Sequence, residues 1–198
     1  MKRMICAISL GILLATPVFS QAIDTTPMIR VTNEHNGQHD DSLDTFTETK
    51  FLGPYQFRVL KDAIETKGET KDIDGRVFRT SDGVFMHVKA RSIDNGSASL
   101  DQEVKQIIKD RTIPEPTVKM VLPIKDSVIE VNNDGVRSLL AEFMYGWPLK
   151  NRTDMVLVTD YEGTRYYYTL QFYRDRLPKG VRIEQLRQMI MDAQFSYK

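Results

Sequence analysis

One short stretch carries the donor atoms of a metal site. His35, His39, Asp40 and Asp41 place two imidazoles and two carboxylates within seven residues. A His-x-x-x-His pair chelates zinc or copper when it is helical, because residues four apart share one face. Asn36-Gly37 lies between the two histidines and opposes helix. A solvated linker explains the same composition, so His35 and His39 are secondary candidates and no metal or other cofactor is expected.

Nucleophilic chemistry has no foothold in the sequence. There is no Gly-x-Ser-x-Gly elbow and no Ser-x-x-Lys pair, and the single cysteine is Cys6. Of three histidines, His87 alone lies outside the 35–39 stretch, on the same strand parity as Phe85 and Lys89. It reads as a half-exposed sheet residue rather than a general base. Glycosidase-type chemistry needs two carboxyls facing across a cleft, roughly 5–9.5 Å apart. Asp72 with Asp74 lies in a charged loop, and Asp101 with Glu103 suits the first turn of a helix. The glycines are scattered one per turn, so no phosphate loop is present. No catalytic residue is assigned, and a non-enzyme is expected.

Recognition is the remaining chemistry. Tyr145-Gly146-Trp147-Pro148-Leu149 ends a strand and enters a loop, where Tyr145 and Trp147 are candidate protein-binding residues. Trp147 capping the core beneath its own loop is the competing arrangement. Tyr167 and Tyr173 share a strand face with Gln171, and cover by a helix is expected there.

The N-terminus indicates where these residues work. Lys2 and Arg3 precede an apolar run from Met4 to Val18, then Phe19-Ser20-Gln21-Ala22. A charged start, a short apolar middle and small residues before the cut describe a secretory signal peptide over 1–22, with a cut after Ser20 as the alternative. The run is too short for a membrane span. Removing the leader takes away Cys6, so the exported chain has no disulfide or thiolate chemistry. It also takes Lys2 and Arg3 from 27 basic residues, leaving 25 against 27 acidic ones. That balance gives no electrostatic reason for nucleic acid or a lipid surface as partner. A periplasmic or secreted protein without a stable membrane anchor is expected.

Residues 23–50 read as a flexible segment, because Asn33 to Ser42 offers nothing apolar to bury. From Phe51 to residue 198 apolar blocks recur, and one domain is expected. Tyr55–Leu60 alternates as a strand. Three hairpins follow: Arg76–Arg79 with Val84–Lys89 about Ser81-Asp82-Gly83, Val128–Val131 with Val136–Tyr145 about Asn132 to Gly135, and Met155–Thr159 with Arg165–Tyr173 about Tyr161 to Thr164. Ser99 and Gln102 form a capping box ahead of Leu100, Val104, Ile107 and Ile108 on one helical face. Ile183, Leu186, Ile190 and Ala193 mark a second amphipathic helix, with Glu184, Arg187 and Asp192 off its stripe. Strands 137–145 and 166–173 carry apolar residues on both parities, which predicts a sheet covered on both faces. The fold class is therefore α+β, an antiparallel sheet flanked by helices.

This order of elements resembles the PsbP-like fold, named for the extrinsic subunit of photosystem two and shared by a Ran-binding nuclear protein and the periplasmic protein DcrB. The resemblance covers about residues 54–197. It rests on Ser99-Leu100-Asp101-Gln102-Glu103, Asn133-Asp134-Gly135-Val136-Arg137 entering a long strand, and Tyr167 to Phe172 followed by a helix ending at Ala193-Gln194-Phe195-Ser196. A Trp near the first strand, common in such domains, is missing. The resemblance implies an α/β/α sandwich and a docking or accessory module, with no catalytic residues to carry over. The expected function is an exported protein-binding domain with a partner in the cell envelope. An inhibitor or immunity protein for a toxin or envelope enzyme is the alternative, and a metal or small-ligand carrier using His35 and His39 the next.

Overall fold

Period-two alternation shapes most of the chain, and in the computed structural model it yields two sheets. The structure describes residues 33–35, 41–66, 75–112, 125–145 and 151–196. In chain order the elements are β1 (Asn33–His35), α1 (Asp41–Asp44), β2 (Thr47–Leu52), β3 (Tyr55–Leu60), β4 (Ile64–Thr66), β5 (Arg76–Arg79), β6 (Phe85–Ser92) and α2 (Leu100–Thr112). They continue with β7 (Lys125–Asn133), β8 (Val136–Met144), β9 (Arg152–Tyr161), β10 (Thr164–Tyr173), α3 (Ile183–Met191) and β11 (Gln194–Phe195). The large sheet runs β1-β7-β8-β9-β10-β6-β5-β4, and the small one β11-β3-β2.

All three expected hairpins form, as β5–β6, β7–β8 and β9–β10. Two of their turns are tighter than the sequence suggested. Asn132 and Asn133 extend β7, leaving Asp134 and Gly135 at φ +52° and +78°. Both central residues of such a two-residue turn need positive φ, which glycine adopts without steric cost.

Each face of the large sheet has its own cover. Leu139, Ala141, Phe143, Val156, Val158 and Tyr167 pack with Leu100 and Val104 of α2. On the opposite face Leu140, Met155, Leu157, Tyr168, Leu170 and Phe172 meet β3 and α3, through Phe57, Val59, Leu186, Met189 and Ile190. The α+β sandwich with helices on both sides is thus observed, and the small sheet shares one layer with α3.

The N-terminal boundary differs from expectation. Thr47–Leu52 pairs along the whole of β3, and Leu43 is fully buried, so residues 41–50 belong to the folded body rather than to a flexible segment. Asn33–His35 pairs in parallel with Val131–Asn133. Neither stretch is apolar enough to declare itself. Main-chain pairing to a neighbouring strand places them instead.

The clamp that holds this region is ionic. Arg58 is buried on the outer face of the small sheet, donating from Nε to Asp192 Oδ2 at 2.5 Å and from Nη1 to Asp44 Oδ1 at 2.6 Å. It thereby joins α1, β3 and the end of α3. Arg187 makes two bonds of 2.8 Å to Glu142, tying α3 to β8. Asp192 and Arg187, placed off the apolar stripe by spacing alone, are ion-pair partners rather than solvated charges.

Candidate functional site

Helix α2 is narrower than the face it covers. It packs over β8 and β9, and beside it the outward residues of β10 and β6 line an open groove. The helix wall carries Glu103, Ile107, Asp110 and Arg111, the floor Val156, Tyr167 and Thr169, and the far wall Lys89 and Arg91. The hollow holds about 600 Å³. A second hollow of about 460 Å³ continues toward Ile93 to Ala98 and shares Arg91, Ser92, Glu103 and Tyr167 with the first. The two together make one elongated trough beside β6.

The helix starts and stays where it does for local reasons. The expected capping box is present: Ser99 N–H donates to Gln102 Oε1 at 2.9 Å, and Gln102 N–H to Ser99 Oγ at 3.3 Å. Asp101 and Glu103 do more than favour a helix N-terminus. Arg137 donates to both oxygens of Asp101, and Arg165 Nη1 donates to Glu103 Oε2 at 3.1 Å. Tyr167 Oη donates to Glu103 Oε1 at 2.8 Å. At the other end Arg111 Nη1 donates to Asp154 Oδ2 at 2.5 Å. These bonds stitch α2 to β8, β9 and β10 along its length, so the wall of the groove is fixed.

Asp154 is the buried hub of that stitching, with no exposed surface. Besides Arg111 it accepts two bonds from Arg152, at 2.6 and 2.7 Å, and one from Gln171 at 3.2 Å. Sequence gave no sign of it, because nothing local links positions 111 and 154. Arg165 is also buried and bonds Asp160 through Nε and Nη2 and the Ala98 carbonyl through Nη2.

The charges of the groove divide into used and available ones. Glu103 is engaged by Tyr167 and Arg165, and Asp154 by its arginines. Asp94, in the second hollow, accepts from Ser97 Oγ and Gly96 N–H, and these bonds hold its carboxyl below the usual range. Burial first, then the bond to Glu103, pushes the Tyr167 phenol up to about 12. Among the described residues Lys89 and Arg91 form no salt bridge. Lys89 Nζ stands 4.9 Å from the centre of the Tyr167 ring, and both side chains are exposed. Arg91 acts electrostatically on Asp94. A wall of two exposed cations that form no salt bridge can bind carboxylates.

The sequence candidates fall at several places. Tyr145 is only 4% exposed and packs in the α2-side core, its ring 6.0 Å from the Arg152 guanidinium carbon. It is a core residue rather than a surface anchor, because the odd parity of β8 continues through it under α2. Trp147 lies outside the described residues, as do His39 and the leader. His35 ends the short strand β1. His87 is half-buried on β6 beside Phe85, as expected of a sheet residue. Tyr167 is covered by α2, and Tyr173 is half-buried with Arg176 5.8 Å from its ring. Among the described residues no group of three or more His, Cys, Asp or Glu is placed to hold a metal ion, and no helix is long and apolar enough to cross a membrane.

No protein-family profile matches the chain, and no curated protein matches it by sequence. The cyanobacterial PsbP, CyanoP, of Synechocystis superposes with a TM-score of 0.54 at 16% identity, covering 76% of this chain and 93% of that one. A Pseudomonas aeruginosa protein of unknown function gives 0.35 at 9% identity over 67% and 87%, a likeness too low to argue from. The first match agrees with the element order, the two-sided cover and the closing helix described above, and establishes that this chain has the PsbP-like fold.

Proposed function

We propose that the chain is a non-enzymatic accessory domain, exported to the periplasm or beyond, that docks a protein partner of the cell envelope. The observation that carries this reading is the trough beside α2. Its helix wall is held rigid by ion pairs, and its far wall presents two exposed cations, Lys89 and Arg91, that form no salt bridge among the described residues. A groove fixed in this way meets a partner with little reorganisation cost. The leader pattern over 1–22 supports export, and the PsbP-like fold supports an accessory role.

Affinity capture from an envelope extract, with the exported chain as bait and bound proteins identified by mass, tests the reading. One stoichiometric partner is expected. A robust hydrolytic activity abolished by a single side-chain change would overturn it.

A further inference from the structure

We infer that the trough takes an extended acidic segment of the partner, with carboxylates at alternate positions set against Lys89 and Arg91. This rests on the docking reading above and specifies the chemistry of its partner. Residues 89 and 91 point to the same side of β6, two positions apart, so their backbones are separated by about 6.5–7 Å along the strand. Alternate side chains of an extended peptide have the same repeat. A peptide laid along β6 would therefore bring successive carboxylates to successive cations without strain.

The shape agrees. The two hollows join end to end through Arg91, Ser92, Glu103 and Tyr167, which suits a run of chain better than a compact ligand. The charge balance favours acid as the occupant. Of the carboxylates around the trough, Glu103 is engaged by Tyr167 and Arg165, and Asp94 accepts from Ser97 and Gly96 at Oδ1 while interacting electrostatically with Arg91. Asp110, exposed on the helix wall and bonded by Gln106, is the acid that opposes such a ligand. Its removal should therefore strengthen binding while removal of the cations weakens it, two effects of opposite sign from neighbouring exposed residues.

The test uses the full chain and a heptapeptide of alternating serine and glutamate, titrated calorimetrically at low salt, where exposed charges are least screened. The native protein should bind it. The Lys89→Glu, Arg91→Glu double variant should bind at least tenfold more weakly at an unchanged melting temperature, with the milder Lys89→Gln, Arg91→Gln pair in between. Asp110→Asn should bind two- to threefold more tightly. No binding by the native protein, equal binding by the double reversal, or equal binding of the lysine counterpart of the peptide overturns the inference. Citrate bound as tightly as the heptapeptide also overturns it, in favour of a small-anion site. A captured partner held equally by native protein and double reversal removes this inference and leaves the docking reading standing, whereas no partner at all removes the docking reading.

Discussion

Arg111 and Asp154, 43 positions apart in sequence, meet through a 2.5 Å bond that fastens the last turn of α2 to a carboxylate with no exposed surface. The same carboxylate holds Arg152 and Gln171, so one side chain fixes the end of the groove wall to two strands. Asp154→Asn keeps the shape and removes the charge, leaving two guanidinium groups facing a neutral amide. Both arginines reach solvent in part, which limits the loss to about 2 kcal/mol. Urea denaturation of the variant checks the value.

Arg58 is the second such hub. Its side chain is 3% exposed and satisfies Asp44 and Asp192 at once. Arg58→Met preserves bulk and strands the half-buried Asp192 without its cation, at a cost of about 3 kcal/mol. Because the clamp joins α1 to α3, protease cleavage in residues 41–50 should accelerate in the variant, measured as the rate of N-terminal nicking.

Gly75 and Gly163 both adopt positive φ, yet alanine should act very differently at the two. A Cβ on Gly75 would stand 2.1 Å from the Val88 carbonyl oxygen, whereas at Gly163 it meets nothing within 4 Å. Gly163→Ala then carries the left-handed backbone term alone, about 1 kcal/mol. Gly75→Ala adds displacement of the β6 main chain, for a total of about 3 kcal/mol. Thermal denaturation of the pair gives the comparison.

The covered phenol of Tyr167 gives a pH prediction. Its folded pKa, about 12, lies above the ordinary 10.0, so the native state holds the proton more tightly than the unfolded chain does. The stability this contributes is complete below pH 10 and is lost as pH rises from 10 to about 12. Stability of the native protein should therefore fall more steeply across that window than stability of Tyr167→Phe, measured by urea denaturation at stepped pH. Parallel slopes would contradict the covered phenol.

What the sequence made legible follows from range. Hairpins and helices announce themselves within some twenty residues, through Asp134-Gly135, through the Ser99–Gln102 box, and through apolar parity in β8 and β10. Strand β2 did not. Thr47-Glu48-Thr49-Lys50 buries almost nothing apolar, and its place depends on pairing with β3. The sequence places Tyr145 at the end of its strand, on the face of Leu139, Ala141 and Phe143, and marks it as a candidate anchor with Trp147; it is buried under α2 along that parity. The groove was illegible for a different reason. Lys89 and Arg91 look like any solvated strand face until the width of α2 is set against the width of the sheet, and that comparison involves residues more than sixty positions apart.

The most direct test of docking through this groove is to fill it. Thr169 is half-buried on the floor of the larger hollow and faces the same side of the sheet as Tyr167, so Thr169→Trp fills the trough. Affinity capture from envelope extract should compare native protein with this variant, at matched melting temperatures. One stoichiometric partner is expected on the native chain, and its loss is expected from Thr169→Trp. A partner retained equally by both would contradict docking through this groove.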